Sequence, residues 1–175
     1  YALAQLDEAG ETEATHRRHL EFCLALAEAA EPGLRRGDQL DWLARLEGEH
    51  DNLRAALEWS VHDGGAGSAL AGLRLAGAIG RFWYLRGYWQ EGRHWLGKLL
   101  ARVPAASETA GARAKALAAL GWLANEDAAE EAAYRESLAL YRAAGDVWGT
   151  AYTLRGLGAR AWNVGEAEHS AACLA

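Results

Sequence analysis

Apolar residues recur at three- and four-residue spacing along most of the chain, and short runs of Gly, Pro, Asp and Ser interrupt them. That period is the mark of helices that bury one face. Thr12 is placed to cap a first helix that reaches about Ala30 and is closed by Pro32-Gly33. Asp38 opens a second, with Leu40, Leu43, Leu46, Leu53, Leu57 and Val61 on one face, and His62-Asp63-Gly64-Gly65 ends it. Ser68 starts a third that runs to Arg86 and stops at Gly87; a fourth covers Tyr88 to about Arg102. Pro104 and Ser107 precede helices at roughly 108–124, 128–144 and 147–163, with Gly145-Asp146 a stop followed by a cap. A further helix begins near Glu166. The pattern predicts about eight helices and an all-α fold.

Three Gly-centred stretches repeat within this pattern. They read Leu75-Ala-Gly-Ala-Ile-Gly80-Arg-Phe-Trp83, Ala116-Leu-Ala-Ala-Leu-Gly121-Trp-Leu-Ala124 and Thr153-Leu-Arg-Gly-Leu-Gly158-Ala-Arg-Ala161, with their last Gly residues 41 and 37 positions apart. Self-similarity at this period predicts an α-solenoid of antiparallel helix hairpins, because one hairpin cannot bury its own apolar face and must stack on a neighbour. The repeated Gly marks helix crossings close enough to offset its cost of roughly 1 kcal/mol against Ala. The expected division is a helical segment over 1–66 followed by repeats at about 67–104, 107–145 and 147–175, the last incomplete. Tyr1 and Ala175 both fall within helical patterns, as expected of a segment of a longer chain.

Composition narrows the function classes. With 175 residues the chain is long enough for one core. Two cysteines, Cys23 and Cys173, lie in helical patterns 150 positions apart, which suits buried thiols in a reducing cytoplasm. No stretch has the roughly 20 apolar residues of a membrane span. The net charge of −6 opposes nucleic-acid binding by the whole segment, yet the charge is uneven. Residues 1–60 carry a balance of −7, whereas residues 69–102 carry +5 from Arg74, Arg81, Arg86, Arg93, Lys98 and Arg102 against Glu91.

Few residues suggest catalysis or metal binding. Glu47, His50 and Asp51 could share a helix face, but no second His or Cys stands at matching spacing, so hydrogen bonds from His50 and Asn52 between helices are the simpler expectation. His16 and His19 sit beside Arg17 and Arg18, a cationic setting that disfavours a metal and predicts a solvated face. No Ser stands in a Gly-x-Ser-x-Gly turn, and the adjacent pairs Asp7-Glu8 and Glu130-Glu131 point apart on a helix. No enzyme, cofactor or metal is expected. Trp83, Trp95 and Trp122 fall where stacking would use bulk. Counted from Gly80, Gly121 and Gly158, the positions facing the concave side are Arg74, Arg81 and Tyr84; Lys115, Trp122 and Asn125; and Tyr152, Arg155, Trp162 and Asn163. Trp122 thus has two candidate roles, core and groove. This mixture of Arg and aromatics is the type enriched at recognition surfaces, with Arg81, Tyr84 and Lys115 as the centre of the expected groove. The structural alternative pairs Arg81 and Lys115 with Glu91 or Glu126.

The hairpins resemble tetratricopeptide repeats lengthened to about 40 residues. The block Trp42-Leu-Ala-Arg-Leu-Glu-Gly-Glu-His-Asp-Asn-Leu-Arg-Ala-Ala-Leu-Glu-Trp59 adds a second likeness, together with Phe82-Trp-Tyr-Leu-Arg-Gly87, Glu91-Gly-Arg93 and Glu136-Ser-Leu-Ala-Leu-Tyr-Arg142. These resemble the sensor half of bacterial LuxR-type and antibiotic-regulatory transcription factors of the STAND ATPase class. Tyr1-Ala-Leu-Ala-Gln-Leu6 resembles the end of the winged-helix segment that precedes that half. The resemblance implies a cytoplasmic regulator whose groove binds a peptide, protein or small effector and biases the preceding ATPase and winged-helix domains. A structural or self-associating module that holds the ATPase inactive is the alternative, and a nucleic-acid-binding solenoid using the Arg74–Arg102 stretch is a third. No Gly-rich phosphate loop ending in Gly-Lys-Ser/Thr occurs here, so the ATPase chemistry lies outside this sequence.

Overall fold

The structure is a computed structural model that describes residues 11–62, 65–123 and 128–163. Among these residues there are eight α-helices: α1 (Glu11–Gly33), α2 (Gln39–Gly48), α3 (His50–His62), α4 (Ala66–Arg86), α5 (Trp89–Arg102), α6 (Ala110–Leu123), α7 (Ala128–Ala143) and α8 (Val147–Asn163). A 3-10 turn, Ser107–Thr109, leads into α6, and no strand occurs among the described residues. The helix expected from Glu166 lies outside them.

Two stops follow directly from glycine. Gly87 and Gly145 adopt left-handed φ values of 79° and 67°. Each lets the next amide turn back on the helix, Tyr88 N–H to the Trp83 carbonyl at 2.9 Å and Asp146 N–H to the Tyr141 carbonyl at 3.0 Å. The Asp146 carboxylate then caps α8 by accepting the Gly149 amide at 2.8 Å.

Three local expectations are corrected. Thr12 lies inside α1 rather than at its cap, and Pro32 sits in the last turn of that helix. The helix expected from Asp38 to Val61 is two, because the chain bends at Glu49 (φ −100°, ψ 5°). Leu40 does not join the shared apolar face; it is 78% exposed, while Leu43, Leu46, Leu53, Leu57 and Val61 are buried.

The helices stack in two rows. Helices α1, α4, α6 and α8 lie side by side, each against the next. On the other side, α3 fits between α1 and α4, α5 between α4 and α6, and α7 between α6 and α8. This all-helical, two-row packing is compatible with an α-solenoid. Helix α4 is at its centre, with Leu73, Leu75, Ile79, Phe82 and Trp83 fully buried. A helix that is apolar around most of its circumference has to be enclosed in this way. The same core runs without a break from Leu20 of α1 to Leu123 of α6. Cys23 is buried within it, and burial pushes its thiol up to about 11, aided by the Glu49 carboxylate. Cys173 lies outside the described residues.

The crossing at Gly121 is tight for an identifiable reason. The Tyr134 ring of α7 lies against both flanking helices, and a Cβ at Gly121 would come within 2.5 Å of it. A Cβ at Gly156 would come within 2.6 Å of the same ring. In the third stretch the position meeting Tyr134 is therefore Gly156, two residues before the Gly158 used for counting.

Charge unevenness resolves through packing. Arg74 reaches Glu28 at 2.6 Å, Lys115 reaches Glu31 at 2.7 Å and Arg86 reaches Glu47 at 3.1 Å. The acidic first helices thus provide counter-charge to Arg74 and Arg86 of α4 and to Lys115 of α6. No described helix is long and apolar enough to cross a membrane.

Candidate binding groove

The inner row exposes one stripe from each helix. On α8, Trp148, Tyr152 and Arg155 recur at four- and three-residue spacing, and on α6 Lys115, Ala118, Ala119 and Trp122 do the same. Helix α4 contributes Arg81 and Tyr84, and the end of α1 contributes Glu31 with Arg35 just beyond it. Small residues, Gly77 and Ala118–Ala119, keep the floor low between the large side chains.

An open cavity of about 330 Å³ forms there, lined by Arg35, Arg81, Trp148, Ala151, Tyr152 and Arg155. Its aromatic wall is continuous. Tyr84 meets Trp122 edge-on at 5.8 Å, Trp122 lies 5.6 Å from Tyr152, and Tyr152 stacks on Trp148 at 5.1 Å. Guanidinium groups cover these rings: Arg155 lies 4.9 Å from the Trp122 ring and Arg35 lies 4.7 Å from the Trp148 ring. Arg35 and Trp148 also line a second cavity of about 410 Å³, with Glu31, Pro32 and Arg36.

The wall is rich in donors. Arg81 gives its Nε proton to the Leu34 carbonyl at 2.8 Å and has no carboxylate partner among the described residues; Arg155 has none either. The indole N–H of Trp122 and the Nε of Arg35 are buried without a hydrogen-bond partner. Glu31 is the single carboxylate among the described residues that line the groove, and Lys115 and Arg35 already share it, at 2.7 and 3.4 Å. Burial raises the Tyr152 phenol above its usual range despite the lowering effect of Arg35, Arg81 and Arg155, so it remains neutral at ordinary pH.

The sequence-derived set meets in part. Arg81, Tyr84, Trp122, Tyr152 and Arg155 come together, and Lys115 joins them through Glu31. Trp122 belongs to the groove wall, whereas Trp83 is wholly buried and Trp95 packs half-buried against the core. Arg74 stands apart, exposed and held by Glu28, because it lies two helical turns before Arg81. Asn125 lies outside the described residues, as do the side chains of Trp162 and Asn163. Glu91 and Glu126 are not the partners found for Arg81 and Lys115: Glu91 is engaged elsewhere, and Glu126 lies outside the described residues. Counting from glycines missed Trp148, although it precedes Tyr152 by one turn on the same face. It also missed Arg35 and Glu31, which belong to the segment before the repeats and reach the groove only through the packing of α1 on α4.

A second polar cluster behaves differently. His50 of α3, 7% exposed, bonds through Nε2 to Glu91 Oε1 of α5 at 2.8 Å. Arg54 donates to the other Glu91 oxygen at 2.5 and 3.0 Å, and the Trp83 indole N–H adds a bond at 3.3 Å. Tyr88 covers the His50 ring at 4.4 Å and donates to Glu47 at 2.5 Å. The expected bond from His50 between helices is present; the Asn52 side chain instead reaches Glu49, three residues away. His16 and His19 do not form a solvated face. His16 stacks on Trp59 at 5.7 Å and His19 approaches the Cys23 sulfur at 3.6 Å. No group of three His, Cys, Asp or Glu among the described residues could hold a metal ion.

In an alignment of 155 positions that covers 83% of its length, the chain is 33% identical to proteins of Mycobacterium bovis and Mycobacterium tuberculosis that are provisionally named HTH-type transcriptional regulators. The matched region is 17% of each relative, so the chain spans about one-sixth of their length. No family model and no solved structure matches the chain.

Proposed function

We propose that this chain is the sensor segment of a cytoplasmic transcriptional regulator and that it binds an effector or partner in the groove of a tetratricopeptide-type solenoid. One observation carries the reading: arginines and aromatic rings from α4, α6, α8 and the end of α1 converge on an open cavity of about 330 Å³. Such residues dominate recognition surfaces, and cavities of this size are typical of ligand sites. The similarity to the mycobacterial regulators and the LuxR-type and STAND resemblance of the Trp42–Trp59 block support the same assignment. Occupancy acts by favouring one state of the full regulator over another, which requires different affinities for the two.

The test is a transcription reporter driven by the full-length regulator carrying Arg81→Ala with Lys115→Ala. The reading requires a changed response from a protein that still folds. An unchanged response would remove the groove from the function. A second reading has its own observation: Tyr84, Leu85 and Trp89 leave 40%, 36% and 44% of their surface exposed at the α4–α5 corner. That corner suits packing on the neighbouring ATPase domain or on a second copy. Dimerisation lost with Leu85→Glu would favour it.

A further inference from the structure

The groove's chemistry narrows what it takes. Its lining offers the guanidinium groups of Arg35, Arg81 and Arg155 and the Lys115 ammonium, against one carboxylate among the described lining residues, already shared by two cations. A sugar or other neutral polyol is held best by carboxylates that accept from its hydroxyls, and among the described residues this wall supplies only the engaged Glu31 besides its Tyr hydroxyls. Two donors within this wall, Trp122 Nε1 and Arg35 Nε, are buried without partners, which adds to the excess of donors over acceptors. Arg81 and Arg155, lacking carboxylate partners among the described residues, match two negative charges. Trp148 is 55% exposed even with Tyr152 stacked on it and the Arg35 guanidinium 4.7 Å from its ring, so a flat group can pack on the part left open. The cavity of about 330 Å³ suits a small molecule.

We propose that the groove binds a small organic dianion with a flat ring, the class that includes nucleoside monophosphates and aromatic dicarboxylates. Arg81 and Arg155 take the anion, and Trp148 takes the ring. The cation–π contact of Arg35 with Trp148 joins the end of α1 to α8, so a ligand between them ties the first helix of the array to its last described hairpin. This inference rests on the groove being the sensing site.

Isothermal titration of the 175-residue chain tests it with four small probes and a polyglutamate peptide. Adenosine monophosphate and phthalate carry ring and charge, adenosine carries the ring alone, and inorganic phosphate carries the charge alone. The expected result is that adenosine monophosphate or phthalate binds at least about tenfold more tightly than adenosine and phosphate. Which of the two wins tells a phosphate from a carboxylate ligand. Arg155→Gln and Trp148→Ala should each weaken that binding by roughly tenfold, with the unfolding midpoint unchanged. The proposal is overturned if neither ring-bearing dianion surpasses its simpler counterparts. It is equally overturned if both variants bind as the parent does, or if a polyglutamate peptide binds more tightly than either small molecule. The two claims fail separately. A reporter that needs the groove while the dianions fail leaves the sensor reading in place, whereas dianion binding with an indifferent reporter removes that reading alone.

Discussion

The cluster around Glu91 and the groove around Tyr152 use similar residues to opposite ends. At Glu91, a carboxylate accepts hydrogen bonds from His50, Arg54 and Trp83, and the bonds join α3, α4 and α5. Donors and acceptor balance, with His50 and Trp83 buried and Arg54 closing the cluster on its solvent side. Along the groove, cations of one sign crowd an aromatic wall, and two buried donors have no partner. Polar groups that satisfy one another hold a fold together, while a site left short of acceptors is fitted to something that supplies them. The lesson is that three of the four resemblance-bearing motifs meet at Glu91 and serve the scaffold, whereas the proposed site is built from less conspicuous stripes.

The largest expected effect comes from the Glu91 side. Glu91→Ala leaves His50, Arg54 and the Trp83 N–H without their acceptor and should cost about 3 kcal/mol, read from urea unfolding. Burial pushes the Glu91 carboxyl up, but the bonds from Arg54 and His50 outweigh it and hold it below the ordinary 4.5. A depressed folded value stabilises above the ordinary one, and that contribution is lost as pH falls through the folded one. The stability gap between the parent and Glu91→Gln should therefore narrow as the solution is acidified below pH 4.5.

Overpacking comes next. Gly121→Leu must displace the Tyr134 ring and should destabilise by about 1–3 kcal/mol. Gly97→Ala meets nothing within 4 Å and should instead stabilise by roughly 0.5–1 kcal/mol, so the pair separates packing from helix propensity. A neutral Gly121→Leu would mean that the α6–α7 crossing is not close. The smallest effect belongs to the groove. Arg81→Ala with Lys115→Ala should cost under about 1 kcal/mol, because the Lys115–Glu31 pair is partly solvated. A loss matching that of Glu91→Ala would erase the contrast between the two regions.

Much of this was legible in the sequence. Helix-period spacing and the Gly stops located most of the helices, and the left-handed φ values at Gly87 and Gly145 show why those stops work. Two boundaries were hidden by a general limit: the apolar period from Leu40 to Val61 continues through Glu49, so spacing alone does not reveal a bend that keeps both helices on one core. Counting along a repeat found Arg81, Tyr84, Trp122, Tyr152 and Arg155, since helical geometry fixes which residues share a face. It did not find Arg35 or Glu31, because their place depends on how α1 lies against α4 and α6, which no local pattern encodes. Charge segregation did carry that information in coarse form. The acidic first helices and the basic stretch after them are packing partners.

The most direct measurement of the contrast is the unfolding free energy of the chain carrying Arg81→Gln with Arg155→Gln. If the groove cations serve recognition, replacing them relieves like-charge crowding around Tyr152 and leaves stability within about 0.5 kcal/mol of the parent, or above it. A loss of about 3 kcal/mol, the size expected for breaking the Glu91 cluster, would show that these arginines hold the fold and would contradict the account.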